Sequence, residues 1–310
     1  MEIIKLSPWN DPVTYALPGF ILSILAEAYI LFVKRKQKIN KKDASASLSL
    51  GLGVVFLDLA FKPLFLALGL FLFKFRILEH IGPGSVEEFF DLSWHKAHWY
   101  LWVVLFFLDD FTFYWFHRWM HEIRVFWACH VNHHDSQYMH LSTALRQSWT
   151  EYFFKYPMWF WLVILGFHPL MIMFMMQLNL IYQYWPHTEL IPKLGWFDRI
   201  FNSPSNHRVH HGSNLQYLDR NYGGILIIWD RIFGTWEPEN EKVRYGITTN
   251  INTYNPFKIT AHEWINIKND LKRAPNLRAK FNYLFNSPGW SHDGEDQRAK
   301  TLRANMEKKD

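Results

Sequence analysis

Several absences narrow the class of this protein. The chain has one cysteine, Cys129, so no disulfide can form within it. Apart from the run KRKQKINKK at Lys34–Lys42, no basic stripe accompanies the net charge of +5, so we predict no nucleic-acid partner. The opening stretch, MEIIKLSPWNDP, leads into an apolar segment without a small-residue cleavage site. We therefore expect that segment to be retained as a membrane helix.

Apolar residues are concentrated in long tracts, which the mean hydropathy of −0.13 hides by averaging them with a polar C-terminal third. A membrane helix needs about 20 mostly apolar residues. The tracts are Leu17–Val33, which contains Glu27; Ser47–Phe73, interrupted by Asp58, Lys62 and Pro63; His98–Phe116; and Tyr152–Trp185, which Gly166–Pro169 divides into a hairpin. We expect an all-α, polytopic membrane bundle. Glu27 would need an interior partner, and Ser47–Phe73 would be one kinked helix or two half-spanning ones.

The basic run after the first span predicts how this bundle is oriented, because lysine and arginine favour the cytosolic side. Counting crossings from there returns the chain to the cytosol near residue 117 and again near residue 187. We divide the chain into N-terminal membrane helices with a connector (1–95), a central catalytic region (96–240) and a polar C-terminal region (241–310). The tail after Trp290 is expected to be poorly ordered.

Eight histidines fall into three boxes whose spacing indicates metal binding. The boxes are His117-x-x-x-His121, His130-x-x-His133-His134 and His207-x-x-His210-His211. Steps of three and four residues bring side chains to one face of a helix, and imidazole is the commonest side-chain ligand of transition metals. One or two histidines would be interpreted as hydrogen-bonding core or surface residues. Eight at this spacing favour a binuclear metal site at the cytosolic membrane face.

The ligand type limits the metal. Imidazole suits iron, zinc, copper or nickel and disfavours magnesium and calcium. The first box has the histidine spacing of zinc proteases, but those need glutamate directly after the first histidine as a base, and Arg118 stands there. Two irons with open coordination positions would activate dioxygen, so oxygenation of a lipid is the expected chemistry. Zinc is the alternative metal, since purification can exchange iron for it.

Carboxylates near the boxes are candidates to orient the ligands. Metal-bound histidines usually donate their other N–H to a carboxylate or a carbonyl. Asp110 lies two helical turns before His117, and we expect it to fill this role; Asp109, Asp135 and Asp230 are the alternatives. The remaining histidines lack box spacing and are expected to be packing or surface residues: His80, His95, His98, His140, His168, His262 and His292.

Long stretches around the boxes resemble the fatty acid hydroxylase / sterol desaturase superfamily of membrane di-iron enzymes. They are YWFHR at Tyr114–Arg118, HVNHHDSQYMHLSTALRQS at His130–Ser148, WPHTE around His187, PSNHRVHHG at Pro204–Gly212 and DRNYGGILIIWDRIFGTWE at Asp219–Glu237. The similarity extends over about residues 95 to 290. Its C-terminal part favours the pterin-dependent branch that cleaves ether lipids.

This resemblance implies roles that spacing does not. All eight boxed histidines would be functional, and His187 would be a ninth metal-site residue. Glu122 would be a catalytic residue that binds a reduced pterin, tetrahydrobiopterin; from the sequence alone it is a helix carboxylate able to pair with Arg118 or Arg124. Asn206 departs from the family pattern, in which a histidine often stands just before the third box.

The expected reaction is hydroxylation of a lipid C–H bond by O2 at two irons, with cleavage of alkylglycerols to fatty aldehyde and glycerol. Hydroxylation or desaturation of a sterol, fatty acyl or carotenoid lipid is the alternative within this class. A zinc-dependent membrane hydrolase and a non-catalytic lipid or metal carrier are the alternatives outside it. We expect a multi-pass protein of a bacterial inner membrane or the endoplasmic reticulum, with its active site on the cytosolic side. The sequence does not indicate the electron donor.

Overall fold

Helices make up the regular structure of this protein. The computed structural model describes residues 11–37, 39–79 and 81–308. Within these ranges there is no strand, and a single antiparallel bridge joins Phe201 and Leu226. The all-α class expected from the sequence is therefore confirmed. The opening stretch up to residue 10, Lys38 within the basic run, and His80 lie outside the described residues.

The α-helices follow one another along the chain, connected by turns and loops. In order they are α1 (Pro12–Tyr29), α2 (Lys41–Phe73), α3 (Val86–Phe89), α4 (Leu92–Ala97), α5 (Trp99–Glu122), α6 (Arg124–Trp127), α7 (Val131–His134), α8 (Tyr152–Leu165), α9 (Pro169–Tyr184), α10 (Pro204–His210), α11 (Ile228–Ile232), α12 (Pro256–Arg273), α13 (Leu277–Phe285) and α14 (Ala299–Glu307). A π turn at Ile30–Lys34 extends α1, and short 3-10 turns lie at Leu141–Leu145, Phe197–Arg199 and Leu215–Tyr217.

Two helices of the described chain are long and apolar enough to cross a membrane: α1 with its π extension, and α2. The side chain of Asp11 caps α1 by accepting the Val13 N–H. Helix α2 continues through Pro63 over 33 residues, so the alternative of two half-spanning helices is wrong. Lys62, beside that proline, is neutralised by contacts with Asp58 and Asp11, as a charge within an apolar helix requires.

The long tract at Tyr152–Trp185 forms the expected helical hairpin. Helices α8 and α9 meet at Gly166, whose φ is +135° and whose hydrogen faces the Leu78 carbonyl too closely for any side chain. They have 14 and 16 residues, which correspond to about 21–24 Å of helix, short of a hydrocarbon core of about 30 Å. The two-helix membrane segment is thus the part of the predicted bundle that the structure supports.

The main core lies between α2, α5, α8 and α9 and holds the histidine-bearing ends of α5 and α9 in place. Phe65, Leu105, Trp159 and Met171 are fully buried within it. Glu27 of α1 has the interior partners that its position requires, because its carboxylate accepts the Leu141 N–H and the Thr188 hydroxyl. These bonds connect α1 to the segment that follows the second histidine box and to the turn that carries His187.

The C-terminal region is more regular than expected from the sequence. Helices α12 and α13 pack against each other, and α14 lies beyond Trp290, where we expected poor order. Arg303 of α14 donates to the Leu218 carbonyl, which attaches this helix to the loop after the third box. The helices of this region carry many charged residues, and their hydrophobic residues are scattered. Because we predicted helices from long apolar tracts, we did not predict these.

Candidate metal centre

All nine predicted histidines are buried, and the structure gathers them into two adjacent clusters. The first cluster is defined by His117, His121, His130, His134 and His210, and the second cluster by His133, His187, His207 and His211. Within each cluster the potential ligand nitrogens lie within 4.8 Å of one another. The clusters are in contact, since the rings of His134 and His211 stack at a centroid distance of 4.3 Å.

The histidines of one box do not all belong to the same cluster, so our expectation that each box is directed at a single point is wrong. His130 and His134 belong to the first cluster, whereas His133 belongs to the second. Consecutive residues on a helix are turned by about 100°, so the pair at 133 and 134 necessarily points in two directions. The third box divides in the same way, with His210 in the first cluster and its neighbour His211 in the second. Paired histidines are what allow one short helix to serve two sites.

The helix boundaries around the boxes place these rings. Helix α5 ends just after His121, so both histidines of the first box lie on its last turn and a half. Helix α9 ends at Tyr184 and delivers His187 in the turn that follows. Helix α10 begins with Pro204 in its first turn and with Ser203 as N-cap, accepting the Asn206 N–H. Those signals start the helix that carries the third box.

Backbone carbonyls, rather than carboxylates, orient most of these rings. The Nδ1 atom of His117 lies 2.8 Å from the Tyr222 carbonyl oxygen, that of His187 2.9 Å from the Gln183 carbonyl, and that of His210 3.0 Å from the Arg220 carbonyl. His133 Nδ1 is 3.3 Å from the Arg146 carbonyl. A carbonyl only accepts, so Nδ1 carries the proton in each ring and Nε2 keeps a free lone pair.

Those free lone pairs face one another, which fits a bound cation. The Nε2 atoms of His133 and His187 are 3.1 Å apart, although both rings already carry their proton on Nδ1. His207 Nε2 lies 2.9 Å from His187 Nε2. In the first cluster, His121 Nε2 and His210 Nε2 are buried with no hydrogen-bond partner in the described chain. Buried acceptors need a partner, and a metal ion at the centre of each cluster would provide one.

A proton does not meet this need, because burial disfavours the charged imidazolium. Desolvation lowers the pKa of His187 to about 4 and holds the pKa of His133, His207 and His211 well below the usual range. Neighbouring histidines lower the pKa of these last three further. The rings are therefore neutral at physiological pH, which is the form that binds a metal. An all-imidazole donor set suits iron, zinc, copper or nickel.

Asp110 does not contact a histidine in the described structure, contrary to our expectation. Its two oxygens accept the backbone N–H groups of Ile225 and Leu226 and the Trp229 indole N–H, at 2.8 to 3.0 Å. The spacing placed it two turns before His117, but that face of α5 meets the 222–229 segment. Asp110 acts on the site through this segment, whose Tyr222 carbonyl accepts from His117.

The other three carboxylates considered are also used elsewhere. Asp109 accepts from Trp159 and Asn179, Asp135 pairs with Arg146, and Asp230 accepts the N–H groups of Tyr222 and Gly223. The carboxylate that does lie at a ring is Asp219, with Oδ1 3.5 Å from His121 Nδ1. Helical spacing could not have found it, because Asp219 sits in a loop with φ of +53°.

Glu122 lies at the edge of the first cluster, directly after His121, and its side chain is 36% exposed. Of the two predicted partners, Arg118 is the one it pairs with, at 2.9 Å; Arg124 instead contacts Glu263 and Asp270. Asn206 binds the carbonyls of Asp198 and Phe201, so it holds a loop and contributes no group to either cluster.

Residues that we expected to be outside the site are outside it. His95, His98, His140, His168, His262 and His292 belong to neither cluster. Cys129, despite its place beside His130, packs in the main core, where burial raises the pKa of its thiol to about 12 and disfavours the thiolate that binds metals.

Tyr222 is a neighbour of the first cluster that sequence patterns did not single out. Its ring centroid lies 5.4 Å from that of His121 and 6.1 Å from that of His117. The side chain is fully buried, and its hydroxyl has no hydrogen-bond partner in the described chain. The apolar run that follows it is visible in the sequence, whereas a single tyrosine has no spacing signal.

A cleft that encloses about 80 Å³ and opens on one side lies between α2, α8 and α9. Met173 and Met176 line it, as does Gln147, which follows the arginine whose carbonyl accepts from His133. The cleft is lined by part of a methionine-rich stretch of α9, whereas the neighbouring aromatic Trp159 of α8 is buried in the core and donates to Asp109.

The fold and the site define a class: an all-helical protein with candidate membrane helices and two buried polyhistidine clusters able to hold metal. Residues 102–235, which include the first two boxes, His187 and the third box, match the fatty acid hydroxylase family. The chain therefore contains a fatty acid hydroxylase domain over these residues. The resemblance seen in the sequence is thereby confirmed.

Several known proteins are similar to this chain in sequence. The chain is 38% identical to alkylglycerol monooxygenase of Xenopus tropicalis over 280 residues, which are 90% of this chain and 60% of that protein. It is 42% identical to the human alkylglycerol monooxygenase over 225 residues, 71% of this chain and 49% of the relative. An ornithine lipid hydroxylase of Rhizobium tropici is 28% identical over 144 residues, 46% of this chain and 44% of that protein. The chain thus spans about half of the relatives' length. No solved structure matches it significantly.

Proposed function

We propose that this protein is a membrane di-iron monooxygenase that hydroxylates a lipid C–H bond and cleaves the ether bond of alkylglycerols. The single observation that carries the proposal is the pair of adjacent clusters in which Nε2 lone pairs face one another. These nitrogens carry no proton with which they could hydrogen-bond to each other. Similarity to alkylglycerol monooxygenases supports the choice of an ether lipid among the lipids this family oxidises.

The first cluster would hold one iron through its five histidines and the second cluster the other through its four. When bound, iron supplies the activation of dioxygen and the hydroxylation of an aliphatic C–H bond. The chain's own contribution is geometric: carbonyl acceptors fix the tautomer and the direction of four rings, and burial excludes bulk water from reactive intermediates.

The reaction balances with one reductant molecule. Hydroxylation of the carbon beside the ether oxygen takes one atom of O2, and the other leaves as water with two electrons and two protons. The resulting hemiacetal then breaks its C–O bond to give a fatty aldehyde and glycerol. The cleft lined by Met173 and Met176 is the entry that we propose for the alkyl chain.

A reduced pterin is the electron donor we propose, with Glu122 as its contact residue. The carboxylate is accessible, follows His121 directly and has one oxygen fixed by Arg118. Its other oxygen can accept N–H groups from the amino-pyrimidinone ring of a pterin, as carboxylates do with paired donors. The sequence resemblance to the pterin-dependent branch is our reason for proposing a pterin rather than a protein donor.

We place the enzyme in a bacterial inner membrane or in the endoplasmic reticulum, with several crossings and both clusters on the cytosolic side. Helices α1 and α2 support membrane insertion, and the basic residues between them favour the cytosolic side for that turn. The second cluster lies near this end of α2, because Arg146, whose carbonyl orients His133, donates to the Ser47 hydroxyl. The first cluster is in contact with the second.

The test is metal content of detergent-purified protein followed by aldehyde formation from an alkylglycerol with O2 and tetrahydropterin. About two irons per chain, the number that two such clusters would hold, together with aldehyde would support the proposal. Iron with activity on another lipid, and only with a ferredoxin or cytochrome donor, would favour the alternative hydroxylase or desaturase. Turnover without O2 and with zinc alone would establish a hydrolase; metal binding with no product from any lipid would indicate a carrier.

A further inference from the structure

Helices α12 and α13, together called the C-terminal helix pair, expose an apolar face that the rest of the described chain leaves uncovered. On α13, Leu277, Phe281 and Phe285 are 81%, 60% and 47% exposed. They are spaced by four residues, so they form one stripe along the outward side of the helix. Ala279 and Tyr283, on the opposite side, are buried. On α12, Phe257 and Ile265 are also exposed, by 68% and 53%.

Basic residues surround this stripe, and acidic residues are withdrawn from it. The exposed basic residues of the two helices are Lys258, Lys268, Lys272, Arg273, Arg278 and Lys280. The two carboxylates of the same helices, Glu263 and Asp270, both face inward and pair with Arg124 at 2.8 and 2.6 Å. Arg278 and Lys280 flank the apolar stripe on its two sides. An apolar stripe bordered by lysine and arginine is typical of helices that lie in a membrane interface.

The C-terminal helix pair packs against the start of α2, where this candidate membrane helix would enter the bilayer. Ile259 of α12 packs with Ala46 and Leu50, in the first turns of the candidate membrane helix α2. This is the end of α2 that follows the basic run, which favours the cytosolic leaflet. That leaflet carries the anionic lipids that attract juxtamembrane lysine and arginine.

We propose that the outward face of the C-terminal helix pair lies in the headgroup region of an anionic lipid bilayer, with Leu277, Phe281 and Phe285 at the acyl boundary. A second copy of the chain is a poorer occupant, because a symmetric contact through this face would oppose like charges. The inference does not depend on the proposed reaction, since it concerns helices that contribute no histidine to either cluster.

The experiment is depth-dependent fluorescence quenching in lipid nanodiscs that each contain one protein copy. An environment-sensitive dye is attached at Phe281→Cys or Phe285→Cys; the native Cys129 is buried and does not compete for labelling. The matched control is Asn282→Cys, which lies about 100° around the same helix. Lipids carrying a nitroxide on the acyl chain should quench the dye at 281 and 285 more strongly than at 282.

The second part of the experiment neutralises one basic residue of α13 at a time. In nanodiscs of phosphatidylcholine with phosphatidylglycerol, Arg278→Gln and Lys280→Gln should each shift the docked fraction of α13 about fivefold toward the undocked state. Quenching by aqueous iodide, without quenching by nitroxide lipid, at both 281 and 285 would overturn the proposal. Energy transfer between differently labelled copies in larger discs, at the expense of lipid quenching, would also overturn it by assigning the face to self-association.

Discussion

Asp219 places a carboxylate oxygen 3.5 Å from Nδ1 of His121, and it does so from a left-handed backbone conformation. Within the two clusters, the other rings with a hydrogen-bond partner at Nδ1 use a backbone carbonyl. His121 therefore has the one negatively charged partner among them. A carboxylate raises the basicity of a metal-bound imidazole more than a carbonyl does. Asp219 should therefore increase the metal affinity of the first cluster.

Replacing Asp219 with Asn should weaken metal binding in the first cluster by about 10- to 100-fold, the usual effect of removing such a partner. Asparagine also accepts left-handed backbone, so the change isolates the loss of charge. Metal affinity by competition with a chelator would measure it. The control is Asp296→Asn, which alters a partly exposed carboxylate paired with Arg298 in the C-terminal region. Equal affinities in the two variants would contradict the role given to Asp219.

His187→Ala and His121→Ala should each remove about one of two metal ions, because the two histidines belong to different clusters. Both variants should lose oxygenase activity, since the proposed chemistry requires the pair. Metal analysis by mass spectrometry of purified protein gives the ratio directly. His98→Ala, a histidine that bonds the Trp94 carbonyl, should retain both ions. If either cluster variant kept its full metal content, that histidine would not be a ligand.

The sequence predicted which histidines come together but not how they divide. From the spacing of three and four residues we predicted that the boxed histidines form one metal site, and the structure gathers them in two adjacent clusters. The division of His133 from His134 is also implicit in helix geometry, since neighbours diverge by about 100°. Nothing local, however, specifies that His133 will meet His187, which lies 54 residues further along the chain. That contact depends on how the α8–α9 hairpin packs, and only the family resemblance brought His187 into the predicted site.

The assignment of Asp110 shows why the supporting residues were harder to predict. Helical periodicity correctly put it on the histidine-bearing helix and in the interior. Its partners come from residues 225–229, more than a hundred positions away, and no pattern within α5 reveals them. Similarly, carbonyl oxygens carry no side-chain identity, so a sequence contains no sign that the Tyr222 or Arg220 carbonyl will orient a ring. Side-chain patterns predict ligands better than they predict their backbone support.

Asp110→Asn should destabilise the protein rather than remove a ligand. The buried carboxylate accepts three hydrogen bonds, and an amide keeps one accepting oxygen while bringing an NH2 group toward donors. An unsatisfied buried group costs about 1–3 kcal/mol, which should lower the thermal midpoint by several degrees in detergent. Metal content per folded molecule should stay close to that of the unaltered protein. An unchanged midpoint with loss of one metal would instead restore Asp110 to the role we first expected.

Glu122→Gln should impair pterin-dependent turnover while leaving both metals bound. The side chain is partly exposed and belongs to neither cluster, so its removal changes no ligand. We expect a rise in KM for tetrahydropterin of about tenfold or more, as for loss of one charge-assisted hydrogen bond. Glu241→Gln, a change at an exposed carboxylate that accepts from Gln216, is the control. Loss of metal in Glu122→Gln would make this residue part of the centre, and unchanged kinetics would remove the pterin contact.

Gly224→Ala tests whether the segment behind the first cluster must approach α5 as closely as the structure indicates. A Cβ there would lie 2.6 Å from the Phe113 ring, 2.9 Å from Asn179 Oδ1 and 3.1 Å from Asp110 Oδ1. Because these groups are held by their own contacts, the segment must move outward and take the Tyr222 carbonyl away from His117. Overpacking of this kind costs about 1–3 kcal/mol.

The matched substitution is Gly19→Ala on α1, where a Cβ meets nothing within 4 Å and alanine suits a helix better than glycine does. The thermal midpoint should fall for Gly224→Ala and stay level or rise for Gly19→Ala. Metal affinity separates strain at the site from strain in the fold, because only displacement of the Tyr222 carbonyl weakens the orientation of His117. A Gly224→Ala protein with lower stability but unchanged metal affinity would show that His117 keeps its direction without that carbonyl.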